Sequence, residues 1–226
     1  MPQPIRFVSY ETVAKKFENK TVAIVGSAPG VLDNKTGFID SHDIVVRINN
    51  YKLDRIKERT GLRTDVYYSF FGNSIRKSAS ELKSDGVKLC MCKCPDSRFT
   101  ESDWHIEHRK EMGIDFHWIY EKRQDWWFCD TYIPTTEHFV NSFKLLDNHV
   151  PSTGFSAILD ISGFNCKSIY LTGFDFFISR IHNVDEVWHN KASEGDPICH
   201  EPRKELGWLR ENAEKFQVDE VLSMLL

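Results

Sequence analysis

Five short runs along the chain are apolar at most positions and rich in β-branched or aromatic residues: residues 20–26 (KTVAIVG), 43–48 (DIVVRI), 64–70 (TDVYYSF), 86–92 (GVKLCMC) and 167–173 (KSIYLTG). A strand with one wet face alternates apolar and polar residues, whereas a strand covered on both faces reads as a nearly continuous apolar run. These five runs therefore predict interior strands. The stretches between them are longer and rich in Lys, Glu and Leu, which predicts helices. Such alternation points to an α/β fold, a Rossmann-like, mostly parallel sheet flanked by helices. At 226 residues the chain is expected to form one domain. Residues 98–134, crowded with Trp, His and charge, have the least regular pattern and are expected to form a small lid or insertion.

In parallel α/β sheets ligands gather at the carboxyl ends of the strands, so the residues just after each run carry the most chemical weight. The first run ends in Gly26-Ser27-Ala28-Pro29-Gly30, where Gly26 would let the backbone approach a ligand and Ser27 offers a hydroxyl. It is neither the G-x-G-x-x-G fingerprint nor a Walker loop. The second run ends in Arg47-Ile48-Asn49-Asn50. Arg47 is expected to pair with a core carboxylate such as Asp43 or Asp65, and Asn49 has the donors and acceptors to meet a base or ribose. Ser152-Thr153-Gly154 precedes a helical stretch at 156–163, a setting that suits a phosphate or carboxylate as well as ordinary N-capping. The last run leads into Gly173-Phe174-Asp175, where Asp175 could fix a donor loop, an active-site histidine or a helix cap.

Composition narrows the partners. A formal net charge of -4 leaves no basic footprint for nucleic acid. No apolar run approaches a membrane span and no signal-peptide core opens the chain, so a soluble, cytoplasmic protein is expected, with at most peripheral contact with an inner membrane. Cys90, Cys92 and Cys94 alternate along one run and should share one side of a strand, while Cys129, Cys166 and Cys199 are scattered singly. That is not a zinc-site spacing, and no D-x-D motif occurs, so no metal and no cofactor are expected.

Taken together, the segments resemble the sialyltransferases of glycosyltransferase families 29 and 42. Val25-Gly26-Ser27 followed by residues 40–49 (DSHDIVVRIN) is similar to the family 29 large motif, a V-G-N-S turn followed by D-S-H-D-x-V-x-R-x-N, with Ser27 in place of the amide. Ser152-Thr153-Gly154 through Cys166, Leu171, Gly173 and Phe174 is similar to the small motif, and His200 with Glu205 resembles the very short H-x-x-x-x-E motif. Residues 170–177 and a histidine opening the C-terminal helix are similar to family 42 segments; residues 74–149 carry no motif.

The resemblance implies a sialyltransferase-type GT-A variant that moves a CMP-activated acidic sugar to a glycan or glycolipid hydroxyl with inversion and without metal. It implies His200 as the base, oriented by Glu205, and a histidine on the leaving phosphate, His189 with His182 in reserve. Gly26, Ser27, Asn49, Ser152, Thr153, Gly154, Gly173 and Asp175 would hold the donor; the resemblance is silent on the acceptor, which residues 98–134 are candidates to face from their irregular pattern alone. CMP-sialic acid is the expected donor. CMP-Kdo presents the same leaving group, and a non-catalytic nucleotide-binding module would retain the same fold. The disulfide of animal members is not expected, because Cys166 matches one half and Val22 the other.

Overall fold

All five predicted strands form in the computed structural model, which describes residues 6–53, 59–71, 75–95, 128–177 and 200–226. They are β2 (Thr21–Val25), β3 (Ile44–Ile48), β4 (Val66–Ser69), β5 (Leu89–Cys92) and β7 (Ser168–Thr172). Three short strands complete the sheet: β1 (Arg6–Phe7), β6 (Asp130–Tyr132) and β8 (Phe216–Val218). Among the described residues the sheet has eight strands in the order β1-β6-β5-β4-β3-β2-β7-β8, with every neighbour parallel. Asp130–Tyr132 lies within the span expected to be an insertion, so that end belongs to the sheet. Residues 98–127 of that span lie outside the described residues.

Chain order runs outward from β2 through β3, β4, β5 and β6, and then returns to the other side of β2 as β7. The switch point is therefore the β2–β7 seam, the place where an open α/β sheet opens a crevice at its carboxyl edge. The alternating side chains of β2 explain why both faces are covered. Val22 and Ile24 enter one core with Val46, Tyr68, Met91, Phe155 and Ile158, whereas Ala23 and Val25 enter another with Val31, Ile39 and Val45. Cys90, Cys92 and Cys94 do share one side, packed with Tyr67, Phe139 and Phe143. Cys166 is a free thiol and Val22 is buried core.

Among the described residues the α-helices are α1 (Tyr10–Phe17), α2 (Ala79–Ser84), α3 (Thr136–Lys144), α4 (Thr153–Ser162), α5 (Pro202–Glu211) and α6 (Glu220–Ser223). Helix α4 is the central one. Seven of its ten residues are buried, and Asp160 near its end accepts from the Tyr68 hydroxyl at 2.8 Å and lies 2.6 Å from His138 Nε2. These bonds tie α4 to β4 and α3, which aims its N-terminus at the carboxyl edge of the sheet.

At the β2–β7 seam the two backbones pack with no room for a side chain. A Cβ on Gly26 would lie 2.9 Å from the Gly173 carbonyl carbon and closer still to its oxygen, while Gly37 has open space around it. Gly26→Ala is expected to destabilise the fold by about 2–4 kcal/mol in urea unfolding. Gly37→Ala, strained only by its positive φ, should cost about 1 kcal/mol. Equal costs would mean that the seam relaxes without penalty.

Candidate active site

The carboxyl edge is built around the strand-end glycines. Gly26 N–H donates to the Thr172 carbonyl at 2.8 Å, and Ala28 N–H donates to the Gly173 carbonyl at 2.9 Å. Gly173 has φ +73°, a left-handed conformation that glycine adopts freely. Its N–H donates to Asp219 Oδ2 at 2.8 Å, and the Thr172 hydroxyl donates to the same oxygen at 2.8 Å. Asn34 Nδ2 donates to Thr172 Oγ1, and the Tyr170 hydroxyl donates to Asn34 Oδ1, so the chain of bonds continues beneath the seam. Gly26 thus has a reason within the protein to lack a side chain, because its backbone meets that of Gly173. Ser27 follows Gly26, half-buried.

Helix α4 brings its N-terminus to this edge. Ser152 is the N-cap and accepts from Phe155 N–H at 3.1 Å, with Thr153 as the first helical residue. A Cβ on Gly154 would sit 2.9 Å from Phe174 Cε1 and 3.8 Å from Ile48 Cδ1, so the helix end is wedged between the end of β3 and the loop after β7. Asp175 accepts from Phe177 N–H at 3.0 Å, in a turn where Phe176 and Phe177 both have positive φ. This bond helps to shape the loop after β7. Asn49 directly follows β3 with φ 48°, and its N–H donates to the Tyr68 carbonyl at 3.0 Å. Its buried Oδ1 has no hydrogen-bond partner among the described residues, an exception to the usual pairing of buried polar atoms.

Arg47 departs from expectation. It is 1% exposed, yet it pairs with neither Asp43, which accepts from Thr21, nor Asp65, which accepts from Val45 N–H. Instead Nε donates to the Arg63 carbonyl at 3.0 Å and Nη2 to the Thr60 carbonyl at 2.6 Å. Burial lowers its pKa to about 10, so the guanidinium stays charged at neutral pH. Arg47 organises the loop at 59–65, together with Asp40, which accepts from Leu62 and Arg63 N–H.

His200 and Glu205 converge on one short segment. His200 Nδ1 lies 2.7 Å from the Val150 carbonyl oxygen, which requires the proton on Nδ1 and leaves Nε2 the basic nitrogen of the neutral ring. Burial and the nearby Lys93 charge lower its pKa to about 4, so it is neutral near pH 7. Glu205, 1% exposed, accepts from Ser152 N–H at 2.5 Å and from the Ser152 hydroxyl at 2.8 Å. Glu205, expected to orient His200, bonds Ser152 instead, while the ring finds its hydrogen-bond partner in the same segment, the Val150 carbonyl two residues earlier. His189 and His182 lie outside the described residues, as does Cys199.

With that geometry established, comparison with known proteins supplies a decision. The model of glycosyltransferase family 29 (sialyltransferase) matches residues 2–210. The chain belongs to glycosyltransferase family 29. Its fold is that of solved sialyltransferases. The enzyme CstII from Campylobacter jejuni, solved with the substrate analogue CMP-3FNeuAc, is 14% identical with a TM-score of 0.52, covering 88% of this chain and 81% of that one. A mammalian sialyltransferase in complex with Gal-beta-1-3GalNAc-ortho-nitrophenol is 18% identical with a TM-score of 0.53, covering 91% and 71%. A curated relative, the beta-1,6-galactosyltransferase GALT29A of Arabidopsis thaliana, is 32% identical over 71 residues. That match spans 31% of this chain and 16% of the relative's length. Among the described residues of this family 29 glycosyltransferase, no helix is long and apolar enough to cross a membrane.

Two residues important to this edge escaped the reading of the sequence. Lys93 directly follows β5, and the strand-end rule that singled out Asn49 applies equally to it. Asp219 follows β8, a strand too short to register as a pattern.

The two titrating groups make opposite contributions to stability. Burial raises the Glu205 pKa to about 7 from 4.5, so its contribution is complete below the ordinary value and lost as pH rises through about 7. His200, depressed from 6.5 to about 4, costs stability as pH falls through that interval. Glu205→Gln, which mimics the protonated carboxyl, should therefore gain on the wild type between about pH 5 and pH 8, by about 3 kcal/mol at full extent. Urea unfolding across that range checks this; a pH-independent difference would place the carboxyl in its ordinary range.

Proposed function

We propose that this family 29 enzyme transfers sialic acid from CMP-sialic acid to a hydroxyl of a glycan or glycolipid acceptor, with inversion and without a metal ion. The observation that carries this reading is the His200–Val150 hydrogen bond, which seats a neutral imidazole two residues before the N-cap of α4. A base and a phosphate-suited helix end are thereby built from one segment. The acceptor oxygen attacks the anomeric carbon as the bond from that carbon to the phosphate oxygen breaks, and Nε2 of His200 takes the hydroxyl proton. CMP leaves with added negative charge on its phosphate. The N–H groups and hydroxyls at Ser152, Thr153 and Gly154 suit that charge.

Asn49, whose Oδ1 is buried, suits the amino group of a cytosine or a ribose hydroxyl, and the turn at Gly26 and Ser27 lies beside it on the sheet edge. Gly173 and Asp175 set the loop against which Gly154 packs. A histidine at position 189 is our choice for the leaving phosphate. A monophosphate leaving group carries less charge than a diphosphate, so hydrogen-bond donors can replace the cation that diphosphate-sugar enzymes often use. The analogue-bound bacterial enzyme supports a CMP-linked donor through its shared fold.

Incubation with CMP-sialic acid and an acceptor panel, with CMP-Kdo and UDP-galactose as parallel donors, tests the reading. CMP release with transfer is expected from CMP-sialic acid, unchanged by EDTA, with the opposite anomer in the product by NMR. His200→Ala should lower kcat by about 10²–10⁴-fold. Loss of activity in EDTA, retention of the anomeric configuration, full turnover in His200→Ala or transfer only from another donor would each contradict it.

A further inference from the structure

Outside the residues assigned so far, the most unusual group at the sheet edge is a buried cation. Lys93 is 7% exposed, and its Nζ donates to the Pro151 carbonyl. Burying an ammonium group costs several kcal/mol unless its charge and donors are answered. Part of the answer lies across one peptide unit. The Pro151 carbonyl receives Lys93, and the Ser152 N–H of that unit donates to Glu205 Oε1 at 2.5 Å. Along this segment the Val150 carbonyl takes His200, the Pro151 carbonyl takes Lys93, and the Ser152 N–H and hydroxyl take Glu205. Pro151 has no N–H to offer and a restricted φ, which removes one freedom from the same stretch.

We propose that Lys93 is a positioning residue for His200: its ammonium and the Glu205 carboxyl grip the two polar ends of the Pro151–Ser152 peptide unit and thereby hold the Val150 carbonyl that orients the imidazole. The importance of this for catalysis rests on the reading of His200 as the base; the clamp itself does not. Three elements meet here. Lys93 comes from the end of β5, Val150 to Ser152 from the approach to α4, and His200, Glu201 and Glu205 from α5 and its N-terminal approach. The Lys93 charge also favours neutral imidazole and ionised Glu205, while Glu201 opposes ionisation of Glu205. Lys204 pairs with Asp147 at 2.9 Å and lies 3.3 Å from His149 Nδ1, a separate set of charges on the same two segments.

Three variants separate charge from hydrogen bonding. Lys93→Arg keeps both, Lys93→Gln keeps a donor without the charge, and Lys93→Met keeps neither. In the wild type, histidine nitrogen NMR should show His200 as the Nδ1–H tautomer, neutral down to about pH 5.5. In Lys93→Gln its titration should move to higher pH, and in Lys93→Met the tautomer should also become mixed. With CMP-sialic acid, Lys93→Met should lose about 10²-fold in kcat with little change in donor KM, and Lys93→Arg should recover most of it. Lys93→Gln retains a partner for the Pro151 carbonyl, so its titration and kcat decide the question should Lys93→Met fail to fold. An unchanged His200 titration in Lys93→Gln, or a kcat loss with tautomer and titration both intact, would overturn the proposal. Absence of transfer by the wild type would instead refute the assigned donor, with the NMR readout still judging the clamp.

Discussion

The approach of Gly26 to Gly173 sets the geometry on which the site depends. The β2–β7 seam is where the chain order reverses, and there two loops leave neighbouring parallel strands. Loops at such a seam ordinarily diverge and open a crevice. Here they are drawn together by two backbone hydrogen bonds, and the absence of a Cβ on either residue allows it. Asp219 locks the arrangement from below by taking both the Gly173 N–H and the Thr172 hydroxyl. The loop after β7 then turns back through Asp175, so that Phe174 meets Gly154 and stops the N-terminus of α4. The clasp thus adds to the Asp160 and Glu205 bonds in fixing the end of the helix relative to Asn49.

A second theme is the use of backbone groups to satisfy buried charge. Arg47 donates to two carbonyls and draws a loop toward the sheet; Lys93 donates to a third; Glu205 accepts an N–H and a hydroxyl. Desolvation makes each of these groups costly, and each returns that cost as fixed loop geometry. The same low-dielectric setting acts on His200. Its ring is held by a carbonyl and kept neutral by burial and a neighbouring cation, so its orientation and its protonation state have a common origin.

Much of this edge could be read from residues in order. The five interior strands announce themselves as apolar runs because both of their faces are covered, and the strand-end rule then finds Gly26, Asn49, Gly173 and Asp175. The three remaining strands have two or three residues each, too few for any period to show. Spacing alone misdirects in two places. Glu205 stands five positions after His200, which suggests a direct bond, but the carboxyl reaches Ser152 and acts through the backbone. Arg47 suggests a carboxylate partner because charge pairing is visible in a sequence, whereas loop carbonyls are not. Lys93 is hidden for the same reason, since a lysine after a strand reads as solvated until the Pro151 carbonyl is seen beside it.

The proposed function requires the seam, the N-terminus of α4 and His200 to form one site for a cytidine monophosphate. A crystal structure of the CMP complex tests this most directly. The expected complex has the base or ribose against Asn49 Oδ1, the phosphate at Ser152, Thr153 and Gly154, and His200 facing the open side of that phosphate with its Nδ1–Val150 bond intact. CMP bound elsewhere, or bound here with Asn49 and the helix end untouched, would contradict it.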